Sequence, residues 1–251
     1  MISLRAHLLR LVASVSAVVL LLGTVPLQSF AAERTVSFSG YTWTVRNDLF
    51  DYPGPNFWGP TSDSVFVDAQ GRLHLKIIKR NGNWYASEVY LPRSLGYGTY
   101  KFDIAPFRTD TNTVAAPFLY RDDTHEFDIE LSTWGDPTDY AGQYVVQPWD
   151  LRGNMTRFPI KLAGAVSTES IAWSPASVAF SSVQNGKTIR SWNYTGANNF
   201  TPGLERVHIN FWLLEDSAPS DEKTKEFIVN RFTFTPLVVA PTPLKKGKAR
   251  R

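Results

Sequence analysis

Apolar and polar residues alternate with a period of two through many short segments of this chain, a pattern typical of half-buried β-strands. The alternation is clearest at residues 73–77, 208–213 and 232–235. Further strands are predicted at residues 35–39, 41–46, 64–67, 83–91, 98–104, 116–120, 143–146, 177–183 and 188–194. After residue 31, no segment longer than about 12 residues shows the 3.6-residue apolar period of a helix. The pattern therefore predicts an all-β fold.

Turn-forming residues separate these segments at intervals of roughly 8 to 12 residues, as in β-sandwiches. The pairs Asn81-Gly82 and Asn185-Gly186 favour tight hairpins because both residue types tolerate positive φ, and residues 68–71 are a third candidate turn. Residues 216–225 are rich in charge and are predicted to form a surface loop. We expect a single domain at residues 33–238, which is long enough for one sizeable core.

The N-terminus has the pattern of a secretory signal peptide, predicted to span residues 1–31. Arg5 and Arg10 precede an apolar stretch at 11–22, and small residues end the segment at Ala31. The stretch is shorter than the roughly 20 residues of a membrane span, although an uncleaved anchor is the alternative. We expect a secreted or periplasmic protein. The chain has no cysteine, so it has no disulfides and its core must supply its stability.

The pI near 9.0 suggests a nucleic-acid partner, but the basic excess lies at the two ends of the chain. Removing the seven basic residues of these ends leaves 19 of 26, against 23 acidic residues. No nucleic-acid partner is therefore expected. The basic tail at 239–251 is predicted to be disordered and to attract the protein weakly to an anionic cell surface; the alternative is a solubilising terminus without a partner. We expect a monomer.

Three acids, Glu126, Asp128 and Glu130, alternate with three apolar residues in the run 125–131. In a strand, the acids share one face and the apolar residues share the other. Repulsion is expected to raise at least one pKa toward neutrality. The Cα atoms of Glu126 and Glu130 would lie roughly 13 Å apart, and their carboxyls could approach to about 5 to 6 Å, as in retaining glycosidases. The alternative is an ordinary amphipathic strand with a wet acidic face.

With its E-x-D-x-E strand, the chain resembles glycoside hydrolase family 16, the laminarinase and lichenase group. Four further segments resemble family motifs in the same order, and together the matches span roughly residues 38–236. They are Ala-Ser-Glu at 86–88 ("GE"), Leu-Gly-Tyr-Gly-Thr-Tyr-Lys-Phe-Asp at 95–103 ("YGxYExR"), Ala-Trp-Ser-Pro at 172–175 with 178–180 and 185–186 ("W-x-P…W…DG"), and Asn-Phe-Trp at 210–212 ("NLW"). The strand lacks the extra residue of the E-x-D-x-x-E branch, and Phe102 and Asp103 depart from the "YGxYExR" pattern.

The resemblance implies a β-jelly-roll sandwich of two antiparallel sheets, with a carbohydrate cleft across the concave sheet. It implies a retaining mechanism in which Glu126 is the nucleophile, Glu130 the general acid/base and Asp128 the helper between them. No cofactor and no catalytic metal are expected. A peripheral structural calcium occurs in some relatives, but no residues of this chain mark its ligands.

Sugar faces stack on aromatic platforms, and we expect Trp134, Trp149 and Trp212 to serve here, with core packing as the alternative for each. By analogy with the family, Asn56 and Glu88 are expected to contact hydroxyls; for Asn56 the alternative is a structural role in a surface loop. His125 points to the opposite face from Glu126, and we expect it to be packed or hydrogen-bonded rather than catalytic.

These observations predict a secreted, endo-acting, retaining β-glycosidase whose substrate is a β-glucan-type polysaccharide. Two alternatives stay open: a lectin-like module that binds glycan on the same sandwich, and a cell-wall transglycosylase. The sequence does not distinguish the β-1,3, β-1,4 and mixed linkages. Retention of three mutually repelling carboxylates favours an enzyme over a binding module.

Overall fold

The structure is a computed structural model that describes residues 33–238 except residues 49 and 60. The predicted signal peptide and basic tail lie outside the described residues. Sixteen strands and one 3-10 helix, Leu214–Asp216, make up the regular structure of this part. The strands are β1 Thr35–Phe38, β2 Tyr41–Val45, β3 Phe57–Trp58, β4 Val65–Val67, β5 Leu73–Arg80, β6 Asn83–Tyr90, β7 Gly98–Ile104, β8 Thr113–Asp122, β9 His125–Leu131, β10 Gly142–Val146, β11 Met155–Phe158, β12 Ser167–Trp173, β13 Val178–Gln184, β14 Lys187–Tyr194, β15 Arg206–Leu213 and β16 Lys225–Pro236.

The strands form a jelly-roll sandwich of two sheets, and the all-β prediction is confirmed. The first sheet has the order β11-β10-β9-β8-β15-β6, followed by β2 and β1. The second has the order β5-β16-β7-β12-β13-β14, with β4 beside β5. The hairpin of β5 and β6 passes from one sheet to the other. All pairs are antiparallel except β3 with β6. No described residue belongs to a helix long and apolar enough to cross a membrane.

The core lies between the inner faces of the two sheets. On β9, the apolar residues Phe127, Ile129 and Leu131 all point inward and are buried. Phe127 meets Trp173 of the second sheet with ring centroids 5.4 Å apart, and Tyr144 of β10 stacks on Phe180 at 5.2 Å. Burying one such side chain contributes about 1.5–3 kcal/mol. The inner face therefore fixes the register of β9, and with it the direction of the intervening acids.

The predicted turns form where the sequence places them. Asn81 and Gly82 have φ values of 49° and 86°, and Asn185 and Gly186 have 50° and 72°. Both pairs therefore occupy the left-handed region that two-residue hairpins require. In the third turn, the Asp68 carboxylate accepts hydrogen bonds from the backbone amides of residues 70 and 72.

Three strands were not among the predicted ones: β3, β11 and most of β12. Two of them are short, with two and four residues. The first half of β12 is polar, Ser-Thr-Glu-Ser, yet Glu169 at its centre is buried. A period-two hydrophobic pattern cannot identify a strand whose inward position carries an acid.

Candidate active site

The three acids of β9 lie on the outer face of the first sheet, opposite the core. Strand β9 is paired on both sides, with β8 and β10, so its backbone is held in place. Asp128 is 4 % exposed, while Glu126 and Glu130 on either side are half-buried. Glu126, Asp128 and Glu130 thus share one face, as the alternation predicts.

Burial raises the pKa of all three acids. None of them forms an ion pair with a described residue. Burial raises the pKa of Glu130 to about 7. Burial raises the pKa of Glu126, and the charge of Glu130 raises it further. Burial also raises the pKa of Asp128, and so do the charges of Glu126 and Glu130. The contact between Glu126 and Asp128 favours an ionised Glu126 and a protonated Asp128. The site can therefore hold protons near neutral pH, as catalytic carboxyls require.

Neighbouring strands supply polar groups that oppose this rise. Gln143 of β10 donates from Nε2 to Oε2 of Glu130 at 2.7 Å. The Arg157 guanidinium, next to Gln143 on β11 and ion-paired to Asp139, lowers the pKa of Glu130. The Gln147 side chain likewise lowers the pKa of Asp128. Three groups outside β9 therefore tune the protonation of its acids.

A second buried charge cluster lies farther across the same sheet. Glu88 on β6 is 3 % exposed and accepts hydrogen bonds from Arg46 at 3.0 Å and His208 at 2.7 Å. Burial alone would raise the pKa of Glu88, but the bonds and charges of His208 and Arg46 outweigh it and lower the pKa. Glu88 lies three strands from β9, which corresponds to about 14 Å.

Between the two clusters the sheet presents aromatic rings. Phe118 of β8 pairs with Asp128 on one side and with His208 on the other. The His208 ring lies 4.8 Å from Phe118 and is stacked on Tyr90 at 5.3 Å. The Nε2 atom of His208 and the Oδ1 atom of Asn210 are buried and have no hydrogen-bond partner among the described residues. This face therefore offers flat apolar surface flanked by hydrogen-bonding groups.

The three predicted platform tryptophans differ in exposure. Trp149 is 58 % exposed on the loop after β10. Trp134 is half-buried and lies edge-on to Trp212 at 6.3 Å. Trp212 is 7 % exposed and packs with Trp58 and other apolar residues in a small cluster. Trp149 thus has the most surface available to a ligand, and Trp212 has the packing of a core residue.

The two predicted hydroxyl contacts are both buried. The Asn56 side chain is 0 % exposed: its amide donates to the carbonyls of Pro53 and Leu213, and its oxygen accepts from the Leu213 amide. These bonds tie the 51–58 loop to β15, and leave the Asn56 amide unavailable to a ligand in this conformation. The Glu88 carboxylate is likewise occupied by its hydrogen bonds with Arg46 and His208.

His125 lies on the inner side of β9, as predicted, where its Nδ1 is 2.6 Å from an Asp122 carboxylate oxygen. Its ring also meets Phe200 edge-on at 5.4 Å. The described residues contain no group of three or more His, Cys, Asp or Glu side chains arranged to hold a metal ion. The peripheral calcium stays an untested prediction.

Sequence reasoning missed four polar residues of this face: Arg46, Gln143, Arg157 and His208. A signal existed for His208, because the period of two that places Trp212 on the outer face of β15 places His208 there too. For the other three, only the pairing of strands distant in sequence shows which acid they contact.

The chain is similar in structure to several solved β-glucanases. A Bacillus licheniformis β-glucanase is 16 % identical, with a TM-score of 0.60 over 83 % of this chain and 100 % of that one. A family 16 endo-glucanase from Bacteroides ovatus is 11 % identical, with a TM-score of 0.59 over 77 % and 94 %. A β-1,3-glucanase from Mycobacterium marinum is 16 % identical, with a TM-score of 0.55 over 76 % and 90 %.

At these identities the similarity establishes the fold, which is that of the glycoside hydrolase family 16 β-glucanases. No family model and no curated protein sequence matches the chain. Function must therefore be argued from the site.

Proposed function

We propose that this protein is a secreted, retaining endo-β-glycosidase that hydrolyses a β-glucan-type polysaccharide. The observation that carries the proposal is the set of three acids on the outer face of β9, buried enough to retain protons near neutral pH. The fold supports it, because solved structures with this fold include proteins named as β-glucanase and endo-glucanase.

In the proposed first step, protonated Glu130 gives its proton to the glycosidic oxygen that leaves. Ionised Glu126 attacks the anomeric carbon, so the bond to the leaving sugar breaks as a covalent glycosyl-enzyme bond forms. Asp128, protonated and in contact with Glu126, stabilises the ionised nucleophile. A pKa of about 7 suits Glu130 for this role, because the group is protonated in a useful fraction of the enzyme at neutral pH.

In the second step, Glu130 is ionised and removes a proton from water. The water oxygen attacks the anomeric carbon and releases Glu126 as a carboxylate, which leaves Glu130 protonated for the next cycle. Gln143 supports this exchange, since its Nε2–H stabilises the ionised form of Glu130.

The test is to incubate the protein with laminarin, lichenan, carboxymethyl-cellulose and galactan. The release of reducing ends and the lengths of the products measure hydrolysis. We expect the full chain to cleave at least one β-glucan internally. Glu126→Gln and Glu130→Gln should lower kcat by a factor of about 10² to 10⁴. Glu222→Gln, a matched change at an exposed glutamate far along the chain, should leave kcat unchanged.

The mechanism has its own readout. NMR of the first product formed should show retention of the β-anomer, and azide should restore turnover to Glu126→Ala and yield an α-glycosyl azide. Binding of glycan without cleavage by any variant or by the parent would favour a lectin-like module. Products with longer sugar chains than the substrate would favour a transglycosylase.

A further inference from the structure

A pocket of about 420 Å³ lies outside the proposed catalytic face, where the edge strands of the two sheets approach each other. Arg190 of β14 donates to the Thr156 hydroxyl of β11 at 2.9 Å, which links these edges beside it. One wall is the end of the loop after β10 and the other is the end of β14 with the turn that follows. The lining residues are Leu151, Arg152, Gly153, Asn154, Trp192, Asn193, Tyr194, Thr195, Gly196, Ala197 and Asn198.

A hydrogen-bond network fixes the shape of this pocket. The Tyr194 hydroxyl donates to Oδ1 of buried Asn154 at 3.0 Å and accepts from the backbone amide of Asn198 at 3.2 Å. The Asn154 amide donates to the Pro148 carbonyl at 3.0 Å. A Cβ at Gly196 would lie 2.5 Å from the Tyr194 hydroxyl, so glycine permits the close approach of the turn. The walls are therefore in place before a ligand arrives, which reduces the cost of binding.

The lining combines one aromatic ring with uncharged polar groups. Trp192 is half-buried: one face of its ring system stacks on Phe180 at 5.3 Å, and its indole N–H has no hydrogen-bond partner among the described residues. Asn193 and Arg152 are exposed. No carboxylate lines the pocket, and its one guanidinium forms no ion pair with a described residue. This composition does not suit a metal cation or a polyanion, but an indole with amide and hydroxyl groups suits a neutral polyhydroxyl ligand.

We infer that this pocket is a second sugar-binding site, which takes a pyranose unit of a neutral polysaccharide against Trp192. Its volume lies within the range of about 300 to 1,000 Å³ typical of small-ligand sites. The inference goes beyond the proposed hydrolysis and does not require it, because the ligand is identified from the chemistry of the pocket.

The position of the pocket gives the second site a use. The loop that ends at its wall begins at Gln147, whose backbone amide donates to the Glu126 carbonyl at 3.0 Å. Exposed Trp149 lies on the same loop. A polysaccharide chain held at Trp192 would therefore stay beside the acids between cleavage events and raise the local concentration of substrate there.

The direct test is an NMR titration of the full-length protein with methyl β-D-glucoside, which an endo-enzyme does not cleave. The eight tryptophans give separable indole N–H signals, and Trp192→Phe identifies one of them by its loss. We expect the Trp192 signal to shift and saturate. A Trp192 signal that stays fixed while the sugar shifts other indole signals, or shifts none, would overturn the inference.

The second test is retardation of the protein in native gels that contain laminarin or lichenan. Ala197→Trp fills the pocket without removing any packing, and should reduce the retardation about three- to tenfold. Trp192→Ala should do the same, with circular dichroism to confirm folding. Lys187→Trp introduces the same residue at an exposed position of β14, the strand that carries Trp192, but outside the pocket. This control should have no effect.

Measurements of catalytic activity distinguish a failure of the second sugar site from a failure of the proposed hydrolase. Ala197→Trp should leave kcat on a short oligosaccharide unchanged and should raise KM on the polymer alone. An inactive parent whose Trp192 signal still responds to sugar would refute the hydrolase and retain the second site. Equal retardation of the parent, Ala197→Trp and Trp192→Ala would refute the second site and leave the hydrolase intact.

Discussion

Gln143 donates a hydrogen bond from its side-chain amide to the carboxylate of Glu130, across the pair of strands β10 and β9. A bond of this kind stabilises the ionised acid and so opposes the rise in pKa that burial causes. Gln143 therefore helps to keep the pKa of Glu130 near 7, where the group can both give and take a proton.

Replacing Gln143 with methionine, which has a similar shape but no donor, should raise the pKa of Glu130 further. Because Glu130 acts first as an acid, the basic limb of the pH profile of kcat/KM should move to higher pH by about one unit. The control is Gln184→Met, which removes a buried glutamine that donates to a backbone carbonyl of Lys161 instead. An unmoved limb in Gln143→Met would refute the role of this bond.

Arg157 should act on Glu130 through its charge. Arg157→Met removes a cation that lowers the pKa of Glu130, so the same limb should again move to higher pH. Arg157→Lys should restore most of the parent profile, because it keeps the charge. Asp139→Asn, which removes the ion-pair partner of Arg157, should move the limb in the opposite direction. Equal shifts in Arg157→Met and Arg157→Lys would indicate packing rather than charge.

Glu169, on β12 of the second sheet, should make the stability of the protein depend on pH. It is buried between the sheets, its Oε1 has no partner among the described residues, and burial raises its pKa from 4.5 to about 7. The folded state therefore binds a proton that the unfolded state releases between these two values, so stability falls as pH rises from 4.5 to 7.

Glu169→Gln should abolish this loss. In urea denaturation at pH 8, the variant should be more stable than the parent by up to about 3 kcal/mol, and the difference should shrink at pH 4.5. Glu222→Gln at the surface should show no such change. The prediction would be contradicted if the difference in unfolding free energy between Glu169→Gln and the parent were the same at pH 8 and at pH 4.5.

Trp149 and Trp212 should respond differently to truncation. Trp212→Ala should cost about 3–5 kcal/mol of unfolding free energy, because it empties a packed site beside Trp58. Trp149→Ala should change stability by less than about 0.5 kcal/mol, since the side chain is mostly exposed, but should raise KM for the polysaccharide. Denaturant titrations and initial rates measure both effects. A large loss of stability in Trp149→Ala would assign that residue to packing.

The alternation of residues was sufficient to predict the strand that carries the acids and the face they share. Phe127, Ile129 and Leu131 repeat every second residue, and this local pattern survives folding because burial of one face decides the register. The hairpin turns at Asn81 and Asn185 were predictable for the same reason, since their geometry depends on adjacent residues alone.

The partners of the acids were not predictable in this way. Glu88 lies on β6, His208 on β15 and Arg46 directly after β2, and only the order of these strands in the sheet brings the three side chains together. Asn56 shows the converse: the resemblance suggested a sugar contact, while the structure surrounds its amide with backbone groups of a strand more than 150 residues away.

Strand β11 forms one edge of the first sheet, and β14 forms one edge of the second. Both strands carry basic side chains, with Arg157 on β11 and Lys187 and Arg190 on β14. If a second copy added its own β14 antiparallel to this one, cations would be brought close together across the new ladder. Mutual repulsion at these borders should discourage sheet extension between molecules, so a protein that is mostly β-strand can stay dispersed at high concentration.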